Sequence, residues 1–248
     1  LMNKINRIAL VTGSAKRIGA SIARHLHSLN INIMIHHNNS NEEASRLAID
    51  LNNLRANSAA TVQANLLDSD ACTKVISEVI ATFGQLDFLI NNASSYYPTP
   101  INSINQEDWD DLMGTNLRAP LMLSQSAVKY LEKTRGSIIN ITDAQIQNPK
   151  TDYIVYSIAK SGLMTLTKSL AKDLSPNIRV NAVAPGAILW PSTNQEIDEQ
   201  YREDVISKTL LKKMGSPEDI CSAVEYLLVH ATYVTGQTIT VDGGREYS

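Results

Sequence analysis

The sequence predicts an α/β fold: one doubly wound parallel sheet of about seven strands, with helices on both faces. Three observations predict it. Short apolar runs rich in β-branched residues alternate with longer stretches of helical period, which implies parallel pairing through right-handed crossovers. The first such run feeds straight into a glycine turn and then a helical pattern. No internal repeat, low-complexity tract or linker interrupts the 248 residues, so a single domain over 1–248 is expected.

Arg7 to Thr12 is the first strand, followed by Gly13-Ser-Ala-Lys16-Arg17-Ile18-Gly19 and a helix on Ile22, Leu26 and Leu29. Glycines at such a turn let the backbone approach a diphosphate, and the helix N-terminus offers unpaired N–H groups and the positive end of a dipole. The same pattern also serves as a tight connection that binds nothing. Ile31 to His36 is the second strand, running into His37-Asn38-Asn39-Ser40 and a helix capped near Ser40 or Asn41. In dinucleotide folds an acid near this point holds the adenosine ribose. None is present here. Neutral hydrogen-bonding groups, with Lys16 and Arg17 supplying positive charge, suit a 2′-phosphate, so NADPH is the expected cofactor. His36 and His37 either meet that phosphate or simply end the strand.

Ala59 to Ala64 is the third strand, Asp68 to Phe83 a helix, Leu86 to Asn91 the fourth strand, and Gln106 to Glu132 a helical stretch. Ser137 to Thr142 is the fifth strand, which delivers Asp143 to the sheet edge where open α/β folds bind ligands. The next helix, Tyr153 to Asp173, is apolar at Ile154, Ile158, Leu163, Leu166 and Leu170, and it sets Tyr156 and Lys160 at i and i+4 on one face. An ammonium beside a phenol lowers the tyrosine pKa from about 10 toward working pH, as an acid/base catalyst needs. Such pairs also arise by chance, and a lone Asp143 equally suits a helix cap, so the constellation takes its meaning from the rest of the chain. Asn177 to Val183 is the sixth strand. Gly186 to Met214, with Trp190-Pro191 and several charges, breaks the rhythm, and a lid over a ligand is expected around 186–214. Ser216-Pro217-Glu-Asp opens a last helix, and Gly236 to Asp242 is the final strand.

With 43% hydrophobic and 19% charged residues and a net charge of −3, the chain has an ordinary globular composition and no basic field for nucleic acid or an anionic membrane. Neither partner is expected. Cys72 and Cys221 lack metal-ligand spacing and read as buried thiols in a reducing compartment, with no metal site. No signal peptide and no membrane-spanning run is visible, so a cytoplasmic location is expected.

Taken in order, Thr12-Gly13 with Gly19, Asn91-Asn92-Ala93, Asn116, Tyr156 with Lys160, Pro185-Gly186 and Val241-Asp242-Gly243-Gly244 resemble the short-chain dehydrogenase/reductase family, which has a Rossmann-like fold. The resemblance implies that Tyr156 is the proton donor, Lys160 its electrostatic activator and ribose holder, and Asn116 part of a water relay. It puts Asn91, Asn92, Ala93 and Pro185-Gly186 at the nicotinamide end. It leaves Gly13, Lys16, Arg17, Ile18, Gly19, His36, His37, Asn39, Ser40, Asn65 and Leu66 for the phosphates and adenosine. Three departures stand out: Arg17 replaces the middle glycine of the turn, Asn65 replaces an acid that often holds adenine, and Asp143 replaces the usual catalytic serine. A carboxylate there repels the alkoxide formed in ketone reduction, whereas a ring nitrogen that must gain a proton suits it.

Gly13-Ser-Ala-Lys-Arg17-Ile-Gly19, Asn91-Asn-Ala-Ser-Ser95-Tyr96-Tyr97-Pro-Thr-Pro100 and Asp143 before Tyr156 resemble the pteridine reductase branch, which includes bacterial dihydromonapterin reductases. By that resemblance Tyr96 stacks the pterin, Ser95 contacts substrate or cofactor, Arg17 reaches pterin and phosphates, and Asp143 and Tyr156 manage the proton. Tyr96-Tyr97 otherwise reads as a packed loop anchor. The expected function is NADPH-dependent reduction of dihydropterin or dihydrofolate-like substrates to the tetrahydro form. Carbonyl or 3-oxoacyl reduction and a non-catalytic dinucleotide sensor are the alternatives. The resemblance also implies a homotetramer paired through the Tyr156 helix and through the last helix and strand, with Arg245 and the tail near a neighbour's pocket.

Overall fold

In the computed structural model, which describes residues 6–189 and 199–245, all seven strands pair in parallel in the order β3-β2-β1-β4-β5-β6-β7. They are β1 (Ile8–Val11), β2 (Asn32–His37), β3 (Ala59–Gln63), β4 (Phe88–Asn91), β5 (Ser137–Ile141), β6 (Arg179–Pro185) and β7 (Thr238–Val241). The helices are α1 (Arg17–Ser28), α2 (Asn41–Leu54), α3 (Ala71–Phe83), α4 (Gln106–Met113), α5 (Ala119–Thr134), α6 (Ile154–Asp173), α7 (Glu199–Ser207) and α8 (Pro217–Glu225). Each strand lies within about two residues of the run expected for it.

Period-two alternation divides the sheet into two cores. Ala9 and Val11 join Ile33, Ile35, Phe88 and Ile90 on one face, where Ile22 and Leu26 of α1, Leu47 and Leu51 of α2, and Ile220 and Val224 of α8 close over them. Ile8, Leu10, Met34 and Leu89 point the other way, against Val75 and Val79 of α3, Leu123 and Leu131 of α5, and Ala171 of α6. Burying a side chain of this size contributes about 1.5–3 kcal/mol. A one-residue slip of any strand would exchange its two faces and break the fit of its side chains to the helices on either side, which holds the register. Both cysteines sit in these cores as buried free thiols.

The chain winds outward from β1 to β3, then returns to lay β4 beside β1. This reversal opens a crevice at the carboxyl ends of the central strands. The stretch expected as one helix from Gln106 to Glu132 is interrupted by a π-helical turn, Gly114–Arg118, between α4 and α5. Gly114 fits there because a Cβ would stand 2.4 Å from Leu67 Cδ2. Asn105 and Asp108 form a capping box that starts α4, and Ser216 and Asp219 form another at α8, with Pro217 in its first turn. Residues 190–198, including the Trp190-Pro191 part of the expected lid, lie outside the described residues. Among the described residues no helix is long and apolar enough to cross a membrane, and no cluster of His, Cys, Asp or Glu could hold a metal ion.

Candidate active site

The crevice widens into a cleft of about 1080 Å³. Its first wall is the turn between β1 and α1. Gly13 has a φ of +60°, and a Cβ on it would meet Ala93 Cα at 2.9 Å; one on Gly19 would meet Gly13 O at 2.4 Å and Asn92 Nδ2 at 2.6 Å. Thr12 Oγ1 accepts from the backbone of Asn92 (2.9 Å) and Ala93 (3.0 Å), while Asn92 Nδ2 donates to Thr12 O (2.8 Å) and Gly13 O (3.1 Å). Turn and β4 end are thereby one unit. Arg17, in the usual glycine position, keeps that position's left-handed backbone at a φ of +53°. The conformation costs about 1–2 kcal/mol and puts a guanidinium on the cleft wall. The start of α1 has no acid in its first turn and no side-chain cap, so its N–H groups suit an anion, and a diphosphate fits this cradle.

At the end of the cleft expected to hold adenosine, the structure places several of the assigned residues differently. His36 is not available to a phosphate, because its Nδ1 accepts from Gly13 N (3.1 Å) and its Nε2 donates to Ala64 O (3.1 Å). Burial also holds its pKa down to about 4, so the ring is a neutral strut joining the turn, β2 and β3. His37 is 3% exposed and off the cleft, with Nδ1 unpartnered among the described residues. Asn38, rather than Asn39 or Ser40, lines the wall beside Lys16, Asn65 and Leu66. Asn65 turns its amide onto Leu67 N and Asp68 Oδ1. The positive charge expected from Lys16 is already paired, its Nζ lying 2.7 Å from Glu43 Oε1.

At the floor, Tyr156 Oη donates to Asp143 Oδ2 at 2.6 Å, and Asp143 Oδ1 accepts from Gln145 N at 2.7 Å. The carboxyl therefore does both things foreseen for it, capping a short 3₁₀ turn and facing the phenol. Lys160 is 2% exposed, donates to Ile141 O at 2.9 Å, and has its Nζ 5.8 Å from the centroid of the Tyr156 ring. The expectation that the ammonium lowers the tyrosine pKa is not met. Burial and the Asp143 carboxylate push Tyr156 well above the usual phenol range, holding its proton in place. Lys160 itself is pushed down to about 8 by burial, with Asp143 acting in the opposite direction.

Asn116 sits in the π turn behind the cleft wall rather than on it. Its Nδ2 donates to Leu112 O and Ser95 O (both 2.9 Å), and its Oδ1 accepts from Ser94 Oγ (2.6 Å). Asn91 is likewise buried behind the wall; its Nδ2 donates to Asn140 Oδ1 (2.8 Å), and Asn140 Nδ2 donates to Thr167 Oγ1 (2.9 Å). A polar chain thus runs from β4 through β5 to α6. Asn92, Ala93, Pro185 and Gly186 do line the cleft.

Tyr96 is half-exposed, stacked on Tyr153 with centroids 4.6 Å apart, and edge-on to Tyr156 at 4.8 Å. It therefore presents ring surface beside the phenol. Ser94 and Asp111 are among the cleft residues that escaped the sequence reading. Asp111 Oδ1 accepts from Ser95 Oγ (3.1 Å) and Thr115 Oγ1 (3.3 Å); burial and a hydrogen bond to Asp111 push the Tyr97 hydroxyl up to about 12. The i, i+4 spacing of Asp111 and Thr115 was the available signal. Leu189, Val205, Lys208 and Met214 form the far wall, and Arg245 lines this same chain's cleft.

A crevice of this kind, with a phenol, an amine and a carboxyl on its floor, defines an oxidoreductase of the dinucleotide-binding α/β class. A family profile described as enoyl-(acyl carrier protein) reductase matches residues 13–246. The chain is 35% identical over 278 residues to pteridine reductase 1 of Leishmania tarentolae, covering 96% of this chain and 95% of that protein. It is 36% identical over 247 residues to a 3-oxoacyl-acyl-carrier-protein reductase of Staphylococcus aureus strain Mu50, covering 97% and 98% respectively. A protein of the same description from Aquifex aeolicus is 34% identical over 244 residues, at 96% coverage of both. The chain belongs to the short-chain dehydrogenase/reductase family.

Proposed function

We propose that the protein is an NADPH-dependent pteridine reductase that takes dihydropterin or dihydrofolate-like substrates to the tetrahydro form. The observation that carries this reading is the Tyr156–Asp143 pair, with Oη and Oδ2 2.6 Å apart. The pair holds one proton between a phenol and a carboxylate beside the half-exposed Tyr96 ring. A flat bicycle stacked on Tyr96 brings a ring nitrogen within reach of that proton. An alkoxide at the same place would face the carboxylate, which disfavours plain ketone reduction.

Bound NADPH supplies the hydride. Gly13, Ile18 and Gly19 would cradle its diphosphate, Lys16 and Arg17 would meet phosphate, and Pro185-Gly186 would border the nicotinamide end. Lys160 would hold the ribose, and Asn116 would act through Ser94. Leu189, Val205, Lys208 and Met214 would border the substrate, and 1–248 would work as one domain in the cytoplasm.

A second reading, 3-oxoacyl reduction, is supported by the similar identity to the acyl-carrier-protein reductases, 36% against 35% to the pteridine reductase. Oxidation of NADPH followed with dihydrobiopterin, dihydromonapterin, dihydrofolate and a 3-oxoacyl thioester separates the two. Turnover of a dihydropterin or dihydrofolate with negligible thioester reduction is expected; the reverse pattern would overturn the pteridine assignment.

A further inference from the structure

The ammonium at the adenosine end of the cleft is held by a carboxylate from a different helix. Lys16, at the start of α1, lines the cleft, and its Nζ lies 2.7 Å from Glu43 Oε1 in the first turn of α2. The two side chains are 53% and 42% exposed, so the pair can open. The hydrogen bond from Lys16 holds the Glu43 carboxyl below the usual carboxylate range, and Arg46, one turn along α2, adds a weaker pull. Glu42 stands beside Glu43, so this turn brings two acids to the region. Arg17 follows Lys16 on the wall, and the other groups on this part of it, His36, Asn38 and Asn65, are neutral.

We propose that Glu43 is a specificity-determining residue: by holding Lys16 it competes with a cofactor 2′-phosphate for the ammonium. It thereby sets how strongly the protein prefers a phosphorylated adenosine over an unphosphorylated one. This rests on the NADPH reading above. A 2′-phosphate carries nearly two negative charges, so it either displaces the Glu43 carboxylate from Lys16 or shares the ammonium with it against their mutual repulsion. A ribose 2′-hydroxyl meets neither condition, so unphosphorylated adenosine should be indifferent to Glu43. Because the pair is exposed, the effect should be roughly two- to fivefold in affinity and should shrink with added salt.

The test is calorimetric binding of 2′,5′-ADP and 5′-AMP to the full chain, comparing the parent with Glu43→Gln, Lys16→Met and the double variant at low and high salt. Glu43→Gln should tighten 2′,5′-ADP roughly two- to fivefold, leave 5′-AMP unchanged, and have no effect once Lys16 is Met. Equal tightening of both nucleotides, no tightening, or tightening that survives the loss of Lys16 would overturn the proposal. Equal affinity of the parent for both nucleotides would count against the NADPH reading itself. In that case a preference for 2′,5′-ADP emerging in Glu43→Gln would still uphold the role of Glu43, and its absence would refute it.

Discussion

The 2.6 Å contact between Tyr156 and Asp143 decides what a change at either residue does. Asp143→Asn keeps the shape and a hydrogen-bond acceptor but removes proton exchange, so turnover on a dihydropterin should fall by about 10²–10⁴, with NADPH affinity little changed. The same variant removes a charge that raises the phenol pKa, so tyrosinate absorbance should appear at lower pH than in the parent. A parental rate with hydride transfer rate-limiting would make the carboxyl purely structural. His36 carries a separate pH effect. Its pKa is about 4 when folded and about 6.5 when unfolded, so the unfolded chain binds more protons between those values. The stabilisation is complete above about pH 6.5 and is lost as the pH falls toward about 4, up to about 3 kcal/mol. Urea titrations should show a flatter acid limb for His36→Gln; identical limbs would refute this. Asp143, Tyr156 and Lys160 could be read from sequence because their spacing is local. The role of His36 could not, since its two partners lie 23 and 28 residues away.

Among the elements, α4 and its π turn do more than connect. Asp111 and Asn116 hold Ser94, Ser95 and Tyr97, and Thr115 donates to Asp111, so this segment fixes the loop that carries Tyr96. Asp111→Ala should free that loop and raise KM for a dihydropterin several-fold more than it lowers kcat. Asp111→Asn, which can still accept from Ser95 and Thr115, should recover most of the loss. A matched fall in kcat with KM unmoved would argue against a role in substrate positioning. The strands were legible because burial on both faces makes them short continuous apolar runs, and α6 because its apolar stripe is long. The π turn was not, since helical periodicity continues on both sides of Gly114–Arg118 and only the contact of Gly114 with Leu67 marks it.

For the molecule as a whole, alternating strands and helices disclosed a doubly wound sheet, and the β1/β4 reversal then set where the cleft lies. Which helix lies over which strand came from packing that no local pattern contains. Ile154 and Ile158 are exposed apolar residues of α6, the Tyr156 helix expected to pair, so light scattering at assay concentration should give a tetramer mass. A monomer mass would refute that assembly. The Asn91–Asn140–Thr167 chain, which crosses β4, β5 and α6, also constrains how this sequence can drift. Replacing one member strands a buried polar atom on its neighbour, at about 1–3 kcal/mol, whereas exchanging all three for apolar residues of matching shape is close to neutral. Any lineage starting from this sequence therefore meets a valley between two acceptable triplets, and the three positions should be inherited together or replaced together.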